Sequence, residues 1–188
     1  PLVLRGEVGA ALVDAEGLFG PPARLFEHGV AAHGAVVLHR HVPGHEIAAG
    51  AFIGGIGDQI VVAGGSNFAQ GAPWDGGAKQ FEDAIYLLTP SGGAYKCELA
   101  ADAKLPAGIA HGCAAAAGRS LYCFGGLTAE GESRAVYVLT PTGNSVRVDT
   151  AGELPAGFRP AAALAYKDEI YIHGVKDGAN AFWRFSPV

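Results

Sequence analysis

The sequence has no methionine and only three cysteines, Cys97, Cys113 and Cys123. The cysteines form no Cys-x-x-Cys pair, which argues against a structural zinc site, and their odd number leaves at least one thiol free in a monomer. Their apolar neighbours read them as small core residues. Charge is also scarce: 16% of residues are charged, and the formal net charge of −5 speaks against the basic footprint that a nucleic-acid backbone requires. No apolar run reaches the roughly eighteen residues needed to span a bilayer. The first residues lack the n-region and h-region of a signal peptide, so the compartment stays open. The start at Pro1 without any methionine fits initiator removal, a fragment or a processed chain alike. Also missing are a Ser-His-Asp arrangement, a glycine loop between strand and helix, and an aromatic-basic stripe for RNA.

What is abundant is glycine. The 29 glycines and 11 prolines are scattered among 49% apolar residues, so they punctuate short elements of a globular chain and form no linker. At 188 residues the chain has room for one domain with a core of its own. No 3.6-residue apolar period is sustained, and short runs bounded by Gly and Pro favour strands over helices.

The runs repeat. Residues 43–65 (PGHEIAAGAFIGGIGDQIVVAGG), 105–126 (LPAGIAHGCAAAAGRSLYCFGG) and 154–174 (LPAGFRPAAALAYKDEIYIHG) align. Each opens on a Pro turn, passes through small apolar residues, breaks at a polar or Gly turn and ends in a second apolar strand closing on Gly. A third strand follows in each unit, at Asp83–Pro90, Arg134–Pro141 and Asn180–Pro187, with Tyr86, Tyr137 or Trp183 at one equivalent place. These aromatics are expected to pack between successive sheets. A fourth strand is expected around Ala94–Leu99 and Ser145–Asp149. The glycine pairs Gly64-Gly65 and Gly125-Gly126 are intact, and His173-Gly174 is a degenerate copy. Glycine suits a sheet that narrows toward an axis, where a Cβ would crowd its neighbours.

The units resemble kelch repeats, which build four-stranded blades of a β-propeller. The expected fold is therefore all-β: kelch-type β-propeller blades, about three to four, an incomplete ring in this chain. The units divide it into a partial blade at 1–44, blades at 45–104 and 105–153, and a partial blade at 154–188. Residues 2–7 align with a second strand, and the last unit stops after its third. Unclosed blades leave exposed edges, so another chain, another copy or residues beyond this sequence are expected to complete the propeller.

One stretch is more particular. Ala63-Gly64-Gly65-Ser66-Asn67-Phe68, Pro73-Trp74-Asp75-Gly76-Gly77, Lys79 and Asp83-Ala84-Ile85-Tyr86 resemble the N-acetylneuraminate epimerases, or cyclically permuted mutarotases. The likeness covers roughly residues 45–175 and is specific over 61–87. It implies a sialic-acid mutarotase that interconverts sugar anomers by acid/base ring opening, without a cofactor or metal. Members of that family are often periplasmic. The substrate carboxylate calls for a cation, preferably a forked arginine.

By that resemblance Gly6-Glu7 corresponds to the family's Gly-Glu pair, and Glu7 is the candidate catalytic base. The arginine that follows it in the family is absent, since Val8-Gly9-Ala10-Ala11-Leu12-Val13-Asp14 comes next. Either another cation, such as Arg5, Lys79 or Arg159, receives the carboxylate, or the protein no longer handles an acidic sugar. The candidate substrate-binding residues are Asn67, Lys79, His111 and Arg159. Asn67 either bonds a sugar hydroxyl or caps its turn. Lys79 faces a ligand or solvent. His111 and Arg159 precede the first strands of successive units, which line the channel in propellers. Asp83 is expected to tie down the 66–83 loop through backbone N–H groups. His39, His41 and His45 read as surface histidines and not as metal ligands. The alternative is a catalytically inactive kelch propeller, an interaction module or a subunit of a larger assembly.

Overall fold

A computed structural model describes residues 48–91 and 94–187. Glu7, Arg5, the His39, His41 and His45 group and the first partial blade lie outside the described residues. Among the described residues the fold is all-β, with one 3₁₀ turn at Pro73–Asp75. No helix among the described residues is long and apolar enough to cross a membrane.

The first sheet begins with β1 (Phe52–Ile56) and β2 (Gln59–Ala63). After them the chain forms a short ribbon, β3 (Ser66–Asn67) with β4 (Gln80–Phe81), then returns as β5 (Ala84–Ser91) and β6 (Ala94–Lys104). The four long strands pair antiparallel in the order β1-β2-β5-β6. The second sheet repeats the meander with β7 (Cys113–Ala117), β8 (Ser120–Thr128), β9 (Gly131–Thr142) and β10 (Ser145–Glu153). The third contains β11 (Phe158–Tyr166), β12 (Glu169–Lys176) and β13 (Ala179–Phe185). The first two sheets stack through β1 against β7 and β8 and through β6 against β10, and the third packs its β11 against β7 and β8. This is the arrangement of propeller blades, and the described sheets do not close a ring.

The small-residue runs have a packing reason. On β7, Ala114 and Ala116 turn toward the first sheet while Cys113, Ala115 and Ala117 turn toward the third. A strand covered on both faces needs apolar residues throughout, and small ones let the sheets approach. Between the first two sheets lie Phe52, Val61, Ile85, Leu87, Leu121, Cys123 and Leu139, all buried. Between the second and third lie Phe124, Val136, Phe158, Ile170 and Ile172. Each such side chain removed from water contributes about 1.5–3 kcal/mol. Tyr86 and Tyr137 are both 8% exposed, and Tyr137 packs in the first inter-sheet core. Trp183 packs edge-on to Phe158 but stays 38% exposed. On the opposite face of the third sheet, Leu164, Tyr166, Tyr171 and Phe182 are exposed.

One expectation of detail changes. The fourth strands are longer than their apolar segments, because β6 keeps pairing until Lys104 meets Ala84, across a bulge. The second and third strands of the second sheet are closely joined: Leu127↔Glu132 and Thr128↔Gly131 continue the β8–β9 ladder to a two-residue turn. Thr128 tightens that turn by donating to the Gly131 carbonyl and accepting from the Glu130 N–H.

The glycine pair is demanded on two counts. Gly64 and Gly65 sit at φ +67° and +110°, as Gly125 and Gly126 do at +57° and +127°. A Cβ on Gly64 would stand 2.4 Å from the Ile109 carbonyl oxygen. That carbonyl accepts the Gly65 N–H at 2.8 Å, while Ile109 N–H donates to Glu82 and Leu105 N–H to Asp83. The connection from the first sheet to the second, residues 105–111, is thereby laid against the glycine pair.

Candidate functional site

The 66–83 interruption is a built structure. The β3–β4 ribbon anchors its base, and beyond it the 3₁₀ turn ends at Gly76, which is left-handed at φ +82°. Gly77 N–H closes the turn on the Ala72 carbonyl at 3.0 Å, and Trp74 stands exposed at the tip. The side-chain amide of Asn67, just after the glycine pair, donates to Glu82 Oε1 at 2.9 Å. Asn67 Oδ1 is buried with no hydrogen-bond partner among the described residues. Asp83 pairs with Lys104 at 3.1 Å, in place of the loop amides expected for it.

His111 lies between this ribbon and the second sheet. Its backbone is left-handed at φ +62°, uncommon for a residue with a Cβ and of a kind associated with functional sites. The His111 N–H donates to the Gly50 carbonyl at 2.8 Å, and the imidazole lies over Gly50, where a Cβ would come 2.4 Å from Nδ1. Held this way, the ring brings Nε2 to 2.7 Å from Lys79 Nζ and 3.2 Å from Ser66 Oγ. Ser66, the buried polar residue after the glycine pair, donates to the Ala49 carbonyl at 3.4 Å. The ammonium is the donor to Nε2, so the ring is neutral with its proton on Nδ1. Burial, and secondly the Lys79 charge, push the His111 pKa below its ordinary value. Lys79 Nζ also sits 5.4 Å from the centre of the Phe81 ring. No carboxylate among the described residues forms an ion pair with it.

On its other side His111 borders a cleft of about 430 Å³ with Leu127, Glu132, Arg134, Phe158 and Arg159. That volume is within the range of small-molecule sites. Both arginines carry carboxylate partners: Arg159 Nε meets Glu132 Oε1 at 2.6 Å, and Arg134 meets Glu153. Of the sequence candidates, the fold thus joins Lys79 to His111, and His111 to Arg159 across the cleft, while Asn67 turns to Glu82. Sequence reasoning passed over Ser66, Phe81 and Glu132. Ser66 had a signal, its place directly after the glycine pair; Glu132 had none, lying between the second and third strands expected for its unit. Among the described residues no group of three or more His, Cys, Asp or Glu is placed to hold a metal ion.

The fold and this edge define a class, a stack of antiparallel blades carrying a polar cleft where successive blades meet. Within that class, the chain is similar to the N-acetylneuraminate epimerases of Brucella suis and Brucella melitensis. Each is 35% identical over 114 residues, covering 55% of this chain and 28% of the epimerase. The chain therefore spans less than a third of the length of these curated relatives. No family model matches the chain.

Proposed function

We propose that the chain is a portion of a kelch-type β-propeller that interconverts the anomers of N-acetylneuraminate. The observation that carries this reading is its similarity to the two epimerases, which agrees with the motif over 61–87. The chemistry is acid/base ring opening. A base takes the proton of the anomeric hydroxyl as the bond from anomeric carbon to ring oxygen breaks, and an acid protonates that oxygen. The resulting ketone rotates and recloses on its other face. Glu7 is the proposed base. Asn67, Lys79, His111 and Arg159 are the proposed contacts to the sugar, and no cofactor takes part. Further blades, from another chain or copy, are proposed to cover the apolar face of Leu164, Tyr166, Tyr171 and Phe182.

The test is proton NMR of a freshly prepared single anomer of N-acetylneuraminate. Equilibration is expected to run faster with the protein and to lose that acceleration in Glu7→Gln. A second reading, an inactive propeller serving as a subunit or interaction module, is favoured by the carboxylate pairing of Arg159. No acceleration, with a native particle heavier than the 19.1 kDa chain, would establish it. A soluble 19.1 kDa monomer would overturn the shared ring.

A further inference from the structure

We infer that Lys79 is the cation that receives the carboxylate of an acidic sugar, and that His111 is the residue that positions it. The inference rests on the acidic-sugar part of the function proposed above.

The choice among cations follows from their partners. Arg159 is paired with Glu132 and Arg134 with Glu153, so a carboxylate entering the cleft would have to displace an existing one. Lys79 has no such competitor among the described residues. Its ammonium is held by a neutral nitrogen on one side and an aromatic face on the other. Neither contact neutralises its charge, and an ammonium has three donors, of which His111 Nε2 takes one. A lysine on a free four-carbon stem loses rotamer entropy when it grips a ligand. Here that ordering is already supplied by His111 and Phe81, so the side chain is preorganised.

The strained backbone of His111 and the missing Cβ at Gly50 serve this placement, because together they aim Nε2 at the loop. Only the neutral ring can accept from Lys79. Once protonated, Nε2 becomes a donor and the two cations repel, so the grip on Lys79 is released in acid. Among the described residues, the charged groups that contact the imidazole or share its cleft are Lys79 on the ribbon loop, Glu132 and Arg134 on β9 and Arg159 on β11. Glu132 is committed to Arg159 and Arg134 to Glu153, which leaves Lys79 as the group most coupled to the ring.

The experiment is calorimetric binding of N-acetylneuraminate and of its uncharged methyl ester to the full chain. The acid is expected to bind about threefold tighter than the ester, as suits one charge-assisted contact at an exposed lysine. Lys79→Met should erase that preference by weakening the acid alone, and Lys79→Arg should keep most of it. His111→Gln retains an acceptor, so it should preserve the preference at neutral pH but remove its decline in acid, whereas His111→Leu should weaken it at every pH. A preference that survives Lys79→Met overturns the inference and leaves the sugar reading standing. Failure of the unmodified chain to bind either probe overturns both. Binding that depends on Lys79 without faster anomer equilibration overturns catalysis alone.

Discussion

Replacing Gly64 by alanine tests the packing of the first two sheets, because two separate costs meet there. The backbone is left-handed at φ +67°, which costs an L-residue about 1–2 kcal/mol. The new Cβ would also stand 2.4 Å from the Ile109 carbonyl oxygen and 3.2 Å from Leu105 Cδ1. The first contact is with backbone, so no side-chain rotation relieves it. Ile109 must move away, lengthening its bond from Gly65 and disturbing the 105–111 connection. Overpacking of this kind costs about 1–3 kcal/mol, giving a total of roughly 2–5 kcal/mol. Gly57 is the matched control: φ is +62°, yet a Cβ there would meet nothing within 4 Å, so Gly57→Ala should cost only about 1–2 kcal/mol. Urea unfolding followed by tryptophan fluorescence reads both variants, with Trp183 reporting on the third sheet. Equal losses in the two would refute the close-approach argument and leave only the backbone term. A larger loss at Gly57 would refute both.

Two further outcomes follow from the titratable groups. His111 has a folded pKa below its ordinary 6.5, so the unfolded chain binds the extra proton first as pH falls. Its contribution to stability is therefore present above pH 6.5 and is lost as pH drops from there to the folded value; His111→Gln should remove that acid-side decline from urea titrations, and an unchanged decline would exclude His111 as its source. Burial pushes the Cys113 thiol up to about 12 and raises Cys123 further, with a smaller rise at half-buried Cys97. At pH 8 a disulfide reagent should modify Cys97 first and reach the other two thiols only in urea, whereas rapid native labelling of Cys123 would contradict the inter-sheet core.

The blades were legible because their determinants are local. Val61, Val62 and Ala63 form a short apolar run closing on Gly64-Gly65, and Leu121–Phe124 repeats it before Gly125-Gly126. Such runs specify strands covered on both faces, and glycines at their ends specify turns and close approaches, wherever the sheets come to lie. The longer reach of β6 and β10 was not legible, because a backbone ladder continues wherever a partner strand is available and needs no apolar alternation. For the same reason Glu132 lies between the strands expected from the sequence, and its role as the partner of Arg159 is hidden with it.

The site divides along the same line. The family resemblance over 61–87 and the place of each residue in the repeat proposed Asn67, Lys79, His111 and Arg159 as candidates. Which of them meet depends on contacts between residues far apart in the chain. Lys79 and His111 are 32 positions apart and touch only because residues 105–111 return across the glycine pair and His111 adopts a left-handed backbone. Composition and repeat determine that this chain forms stacked antiparallel sheets, because burial and turn geometry act over a few residues. Only the tertiary structure decides that Arg159 is neutralised while Lys79 is left with its charge, because ion pairing depends on distances that no local pattern records.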